Sequence, residues 1–303
     1  MPYTGASTPN VGTNTGNDLT RDITLDVIQA FERKTRFADL VRIDTLPAGV
    51  SAGSFVIEGK EDRDDTNITE YTAGTQVNVS NGTQDEIIVP LDRPQYESRR
   101  IDKWDEAIAR YDVEAMNVRQ LGSKLANAVD RKLSAAVEAS SLSTGFVGNG
   151  DGTVIVNPAL ITGTAEAKGK AFIESIYASA AAMKANDVDE QIYCGLHPLK
   201  FQYLPQALTI VDSDYTNANG GLDLGTVKMV GGVVVFQTNN LPATNSLEGL
   251  VFTSEAVGMA KLWDVQIDIN TQPEFLDAKL INSYFSNGVK PLRAACAVSI
   301  KSA

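Results

Sequence analysis

Between Asp105 and about Ala139 the chain carries no proline and a single glycine, Gly122. Over that stretch Ile108, Tyr111, Ala115, Val118, Leu125, Val129, Leu133 and Ala136 recur at three- and four-residue steps. This is one apolar stripe on a helix of about 35 residues, about 50 Å long at 1.5 Å per residue. Globular helices average about 11 or 12 residues, so such an element is a coiled-coil arm, a repeat unit or the backbone of an elongated domain. The stripe stops after one helix and lacks flanking charge pairs, which excludes a coiled coil. A spine packed along one side by a sheet is the reading that remains. Gly122 costs about 1 kcal/mol relative to alanine at mid-helix and marks a candidate bend.

Two segments before this helix lack internal support. Residues 1–18 hold no Lys or Arg and no apolar run, so a secretory signal is not expected. They are rich in Thr, Asn, Gly and Pro, a composition that orders only against a neighbour. Residues 20–34 follow as a short amphipathic helix, with Leu25, Ile28 and Phe31 on one side and Thr24 as its cap. Residues 50–92 read as a long β-hairpin built from 54–57, 76–79 and 86–89, with a charged tip at Lys60, Glu61, Asp62, Arg63, Asp64 and Asp65. A lone hairpin is marginal in water, so something must cover it.

Beyond the loop at 144–152 the pattern becomes mixed. Residues 168–185 form a helix with Phe172, Ile176, Ala180 and Met183 on one face, and 191–194 form a short strand. Pro198 opens another helix at the position where a missing N–H is harmless, which makes His197 a cap or turn residue. Gly231-Gly232 between 227–230 and 233–236 is a hairpin turn, and 250–253 is a further strand. Residues 263–269 alternate, as do Leu292, Ala294, Cys296, Val298 and Ile300, so half-buried antiparallel strands are expected at both places. Strands grouped rather than alternating with helices make the class α+β.

Chemistry finds no foothold in this pattern. His197 is the one histidine, and no G-x-S-x-G elbow accompanies it. Cys194 and Cys296 read as buried core thiols. The glycines of 145–152 lack the Lys-Ser/Thr of a phosphate loop and form a turn instead. The acids of 212–223 lack glycine at the sixth position and glutamate at the twelfth of a calcium loop. No catalytic residue, metal or cofactor is expected, and no enzyme. The balance of 26 Lys and Arg against 38 Asp and Glu, net −12, disfavours a protein that coats nucleic acid. No window approaches the ~20 apolar residues of a membrane span.

The order of elements (arm, short helix, charged hairpin, long helix, α+β region, terminal strands) resembles the major capsid protein of tailed bacteriophages, in the Hong Kong 97-type fold. Asp105-Glu106-Ala107-Ile108, Tyr111-Asp112-Val113 and Gln120 to Ala126 are similar to the spine helix of its short-tailed podophage (podovirus) branch. Ile192-Tyr193-Cys194 and Gly231 to Val235 resemble its central domain, and Tyr284 to Val298 its C-terminal strand pair.

That resemblance implies an N-terminal arm at 1–20, an N-terminal helix region at 21–49 and an extended loop at 50–92 laid over the adjacent subunit. It further implies a peripheral domain from 93–140 and 255–303 and an axial domain from 141–254. The implied protein self-assembles into hexamers and pentamers, the icosahedral shell of a virion built in the host bacterial cytoplasm. The shell encloses double-stranded DNA without sequence-specific binding. Implied partners are a separate scaffolding protein, since only about 20 residues precede the first helix, a portal protein, and a cement or decoration protein. The loop from Glu58 to Glu70 holds six acids and two bases, so its partner surface is expected to be basic, with Arg99 and Arg100 as candidates. Lys60, the only lysine between 54 and 91, is not expected to cross-link. Two other readings stand beside this one: a decoration or sheath protein, and a cytosolic hydrolase or binding domain.

Overall fold

The computed structural model describes residues 36–45, 54–58, 70, 73, 86–108, 113–144, 150–207, 229–243, 246–275 and 277–302. Along the chain run β1 (Arg42–Thr45), β2 (Ser54–Glu58), β3 (Glu86–Pro90), β4 (Gln95–Ile101), α1 (Lys103–Ile108) and α2 (Val113–Ser141). Then come β5 (Thr153–Val156), α3 (Ala165–Ala185), β6 (Tyr193–Leu196), α4 (Pro198–Phe201), β7 (Met229–Val230) and β8 (Val233–Gln237). The chain continues through β9 (Leu247–Phe252), β10 (Val257–Gln272), β11 (Ala278–Pro291) and β12 (Ala297–Lys301). The arm, the 20–34 helix, the hairpin tip and the 212–223 acids lie outside the described residues.

Contacts divide the chain into two compact units. The first contains 93–127 and 263–286, the second 36–92, 128–262 and 287–303. In the first unit β4 and β11 pair antiparallel, from Lys279 opposite Ile101 to Phe285 opposite Gln95. Ile101, Ile281 and Phe285 are buried together with Val118, Leu121 and Leu125 of α2. The side chains of Arg99 and Lys279 reach the same helix, at Asn117 and Glu114.

The second unit is organised by a six-stranded sheet in the order β5-β12-β9-β6-β8-β7. Its pairing is mixed: β12 on β5 and β6 on β8 run parallel, while β12 on β9 and β6 on β9 run antiparallel. The antiparallel pairing expected for the terminal strand therefore holds on the β9 side of β12, while its β5 side is parallel. α3 packs on this sheet through Phe172, Ile176, Ala180 and Met183, all buried as the sequence periodicity predicts. Thr164 starts that helix by accepting the Ala167 N–H on its hydroxyl, which satisfies one of the orphan donors of the first turn. Gly231 (φ +57°) and Gly232 (φ +85°) take the left-handed conformations that the β7–β8 turn demands.

Two expectations change on contact with the structure. The alternating strand from Leu292 is interrupted by a 3₁₀ turn at Ala294–Cys296. Only β12 remains a strand, and it is buried along its whole length because it lies between two neighbours. The long helix is described as α1 and α2, with 109–112 outside the described residues. Ile108 closes α1 and is 62% exposed, so it does not belong to the buried stripe.

Candidate assembly surface

Surface groups, rather than a cleft, are the candidates. β4 shows how local geometry sorts them. Side chains alternate along a strand, so neighbours point to opposite faces. Arg99 turns toward α2, where its Nη1 donates to Asn117 Oδ1 and Gln120 Oε1, both at 2.9 Å, with Glu97 3.9 Å away. Arg100 turns the other way, with its Nε 3.2 Å from Asp102 and its guanidinium 4.5 Å above the Phe275 ring. The two arginines that sequence reasoning pairs therefore serve different faces. The companions expected at the hairpin tip, Lys60, Glu61, Asp62, Arg63, Asp64 and Asp65, lie outside the described residues.

Beside β4, a groove of about 810 Å³ runs along α2, lined by Met116, Arg119, Gln120, Ser123, Lys124 and Asn127. These positions repeat at three- and four-residue steps and so share one helix face. Arg119 is exposed, and Lys124 pairs with Glu97. Sequence reasoning missed this face because it followed only the apolar stripe; the polar residues between those positions were the available signal. On the opposite side of β4, Tyr96 (75% exposed) lies beside Tyr284, which meets Trp263 edge-on at 6.2 Å.

The hairpin is described at its base. β2 and β3 pair antiparallel from Ser54 opposite Pro90 to Glu58 opposite Glu86. Val89 is fully buried with Ala260, and Leu91 and Leu292 pack against them. Lys290 Nζ donates to the Ile88 carbonyl at 2.9 Å. Gly288 lies so close to Pro90 that an added Cβ would stand 2.2 Å from the Pro90 carbonyl oxygen.

Buried polar groups hold the second unit together. Asp130 is fully buried and accepts backbone N–H bonds from Arg36 and Phe37. Burial pushes its carboxyl above the usual carboxylate range, and those hydrogen bonds pull it partly back. Glu138 and Lys301 form a buried pair at 3.6 Å. Cys194 is sealed in the core and its thiol is pushed up to about 12 by that burial; Cys296 is buried as well. His197 caps α4, its Nδ1 accepting the Leu199 N–H at 3.3 Å. Among the described residues no three His, Cys, Asp or Glu side chains gather as a metal-binding group. None of the described helices is long and apolar enough to cross a membrane.

A family model described as "Gp10A-like: Major capsid protein" matches residues 101–249, from the last residue of β4 into β9. No curated protein sequence matches the chain. The fold is that of solved phage capsid subunits. A capsid structure of the cyanophage P-SCSP1u superposes with a TM-score of 0.74 at 24% identity, covering 89% of this chain and 88% of that one. The mature capsid of bacteriophage PhiM1 gives 0.70 at 15% identity over 88% and 86%. A virus-like particle from Pyrococcus furiosus gives 0.58 at 10% identity over 94% and 100%.

Proposed function

We infer, from a region 101–249 that matches the Gp10A-like major capsid protein model and a chain folded as a Hong Kong 97-type subunit, that this protein builds a phage capsid shell. The observation that carries the reading is the conjunction of that match with a fold shared along nearly the whole chain by capsid subunits. Copies assemble into hexamers and pentamers that close around the packaged genome. The protein acts structurally rather than as an enzyme.

Residues 1–20 serve as an arm, 21–49 as the region joining it to the body, and 50–92 as the loop laid over the next copy. Residues 93–140 with 255–303 act as the peripheral domain and 141–254 as the axial domain around capsomer centres. A separate scaffolding protein, a portal and a cement protein complete the particle, which is put together in the host cytoplasm.

The hairpin's receiving surface is the groove on α2 of the adjacent copy. Arg119 and Lys124 supply the positive charge that the six acids between Glu58 and Glu70 require. Ion pairs on such a surface are worth about 0–1 kcal/mol each, so they set register and encounter more than stability. Arg99 is committed to Asn117 and Gln120 and supports the groove wall, while Arg100 serves the other face of β4. Expression of the protein followed by negative-stain imaging tests the function: closed shells are expected, and tubes or small discrete particles would overturn it. The double substitution Arg119→Glu, Lys124→Glu is expected to leave folded subunits that no longer close shells. Undiminished shell yield would remove the groove from the contact.

A further inference from the structure

The segment that leads toward the hairpin and the segment that follows it are both tied to one stretch of α2. On the incoming side, Asp130 accepts the Arg36 N–H at 3.0 and 3.2 Å through its two oxygens and the Phe37 N–H at 3.2 Å. The Phe37 ring is wedged between Phe252 and Phe236, at 5.3 and 5.4 Å. From there β1 pairs in parallel with β10, Arg42 opposite Gly258, and the chain runs on toward β2. On the outgoing side, Lys132 Nζ stands 2.5 Å from Asp92 Oδ2, two residues past β3. The same ammonium donates to the Asn287 carbonyl and to Asn287 Oδ1, both at 2.8 Å. Asn240 bridges the region: its amide nitrogen is 3.5 Å from Asp130 Oδ2, and its carbonyl accepts from Ser134 Oγ at 2.6 Å.

Residues two apart on a helix point to nearly opposite sides, so Asp130 and Lys132 take hold of different segments from the two sides of one turn. We propose that Asp130 and Lys132 are the two feet of a clip that sets the direction in which the hairpin leaves its subunit. They are positioning residues for the angle between neighbouring copies, not contacts with them. The idea rests on the hairpin lying over a neighbour. Asp92 is half exposed, so its ion pair adds little to global stability. It does join the end of β3, and through it the paired β2, to α2. Removing this foot therefore loosens the hairpin's base while the core stays intact. On this reading a small change of direction at the base of β3 carries into the angle between neighbouring copies. The expected defect is shells of the wrong curvature rather than an absence of folded protein.

The test uses Asp92→Asn and Lys132→Met, with Lys132→Arg as the conservative control, in two arms. In unassembled full-length subunits, hydrogen exchange of the β3 amides should quicken by about tenfold in D92N and K132M, with the melting temperature shifted by only a few °C. In assembled material, cryo-EM should show one shell size for wild type and K132R and mixed sizes or open sheets for D92N and K132M. Unchanged β3 exchange would overturn the clip. Faster exchange with shells of wild-type size would overturn its role in setting the angle. If wild type forms no shells at all, the functional reading fails instead, and the exchange arm still judges the clip. Should K132M not fold, the surface variant D92N carries both arms alone.

Discussion

Phe37→Ala offers the sharpest test of how the second unit holds its first described segment. The Phe37 side chain is fully buried, stacked on Phe252 at 5.3 Å and 20° and edge-on to Phe236 at 5.4 Å and 78°. Truncating a core phenylalanine to alanine costs about 3–5 kcal/mol. Each aromatic pair contributes about 0.5–1.5 kcal/mol beyond area burial, so the two pairs account for about 1–3 kcal/mol of that loss. Phe37→Leu keeps most of the apolar volume and forfeits both pairings, so it should cost only that smaller share. For a domain of this size each kcal/mol moves the melting temperature by about 2–4 °C. Calorimetry on unassembled subunits should therefore show a drop of roughly 6–20 °C for alanine and a clearly smaller one for leucine. Hydrogen exchange across β1 should quicken in parallel, because the Phe37 N–H also anchors the segment on Asp130. A cost below about 1 kcal/mol for alanine, or equal costs for the two variants, would show that the ring cage is not the anchor.

Three further perturbations follow from the buried groups. Asp130 has a folded-state value raised by burial, so the native state holds its proton more tightly than the unfolded chain, and its contribution to stability is lost as pH rises through that folded value. Asp130→Asn should therefore gain on wild type in urea unfolding as pH rises from about 4, then run parallel; a difference independent of pH would contradict the burial argument. Glu138→Gln strands Lys301 in the core and should cost about 3–5 kcal/mol by thermal denaturation, while Glu138→Gln combined with Lys301→Met should recover much of it. Gly288→Ala drives the new Cβ into the Pro90 carbonyl and should cost about 1–3 kcal/mol; an unchanged urea midpoint would mean that the approach of β11 to β3 relaxes freely.

What could be read in advance was whatever depends on near neighbours in the chain. The proline-free period gave away α2, the Gly231-Gly232 pair its turn, and Pro198 the cap at His197. Long-range partners were invisible. Asp130, Ser134 and Glu138 look like solvated helix positions, yet they are buried because their partners lie about a hundred residues or more away. The alternation from Leu292 to Ile300 misled because small residues such as Ala294 and Ala295 carry little local preference and turn there instead of extending. The sequence offers Arg99 and Arg100 together as candidates for a basic surface, and only the pleat of β4 shows that they point to different faces. The charge on the groove face of α2 was present in the sequence, but only the fold shows that Arg119 and Lys124 line the same groove.

The position of β12 has a bearing on how the molecule is made. Its five residues lie between β5, laid down some 140 positions earlier, and β9. Until residue 301 has cleared the ribosome, β5 has no partner in the sheet and β9 keeps a bare edge toward the gap. Such edges template pairing with other chains, and closing so distant a contact is slow. A nascent copy is therefore most prone to aggregation just before β12 arrives. A population of identical subunits synthesised in bulk gains from anything that holds unfinished copies apart until that final insertion.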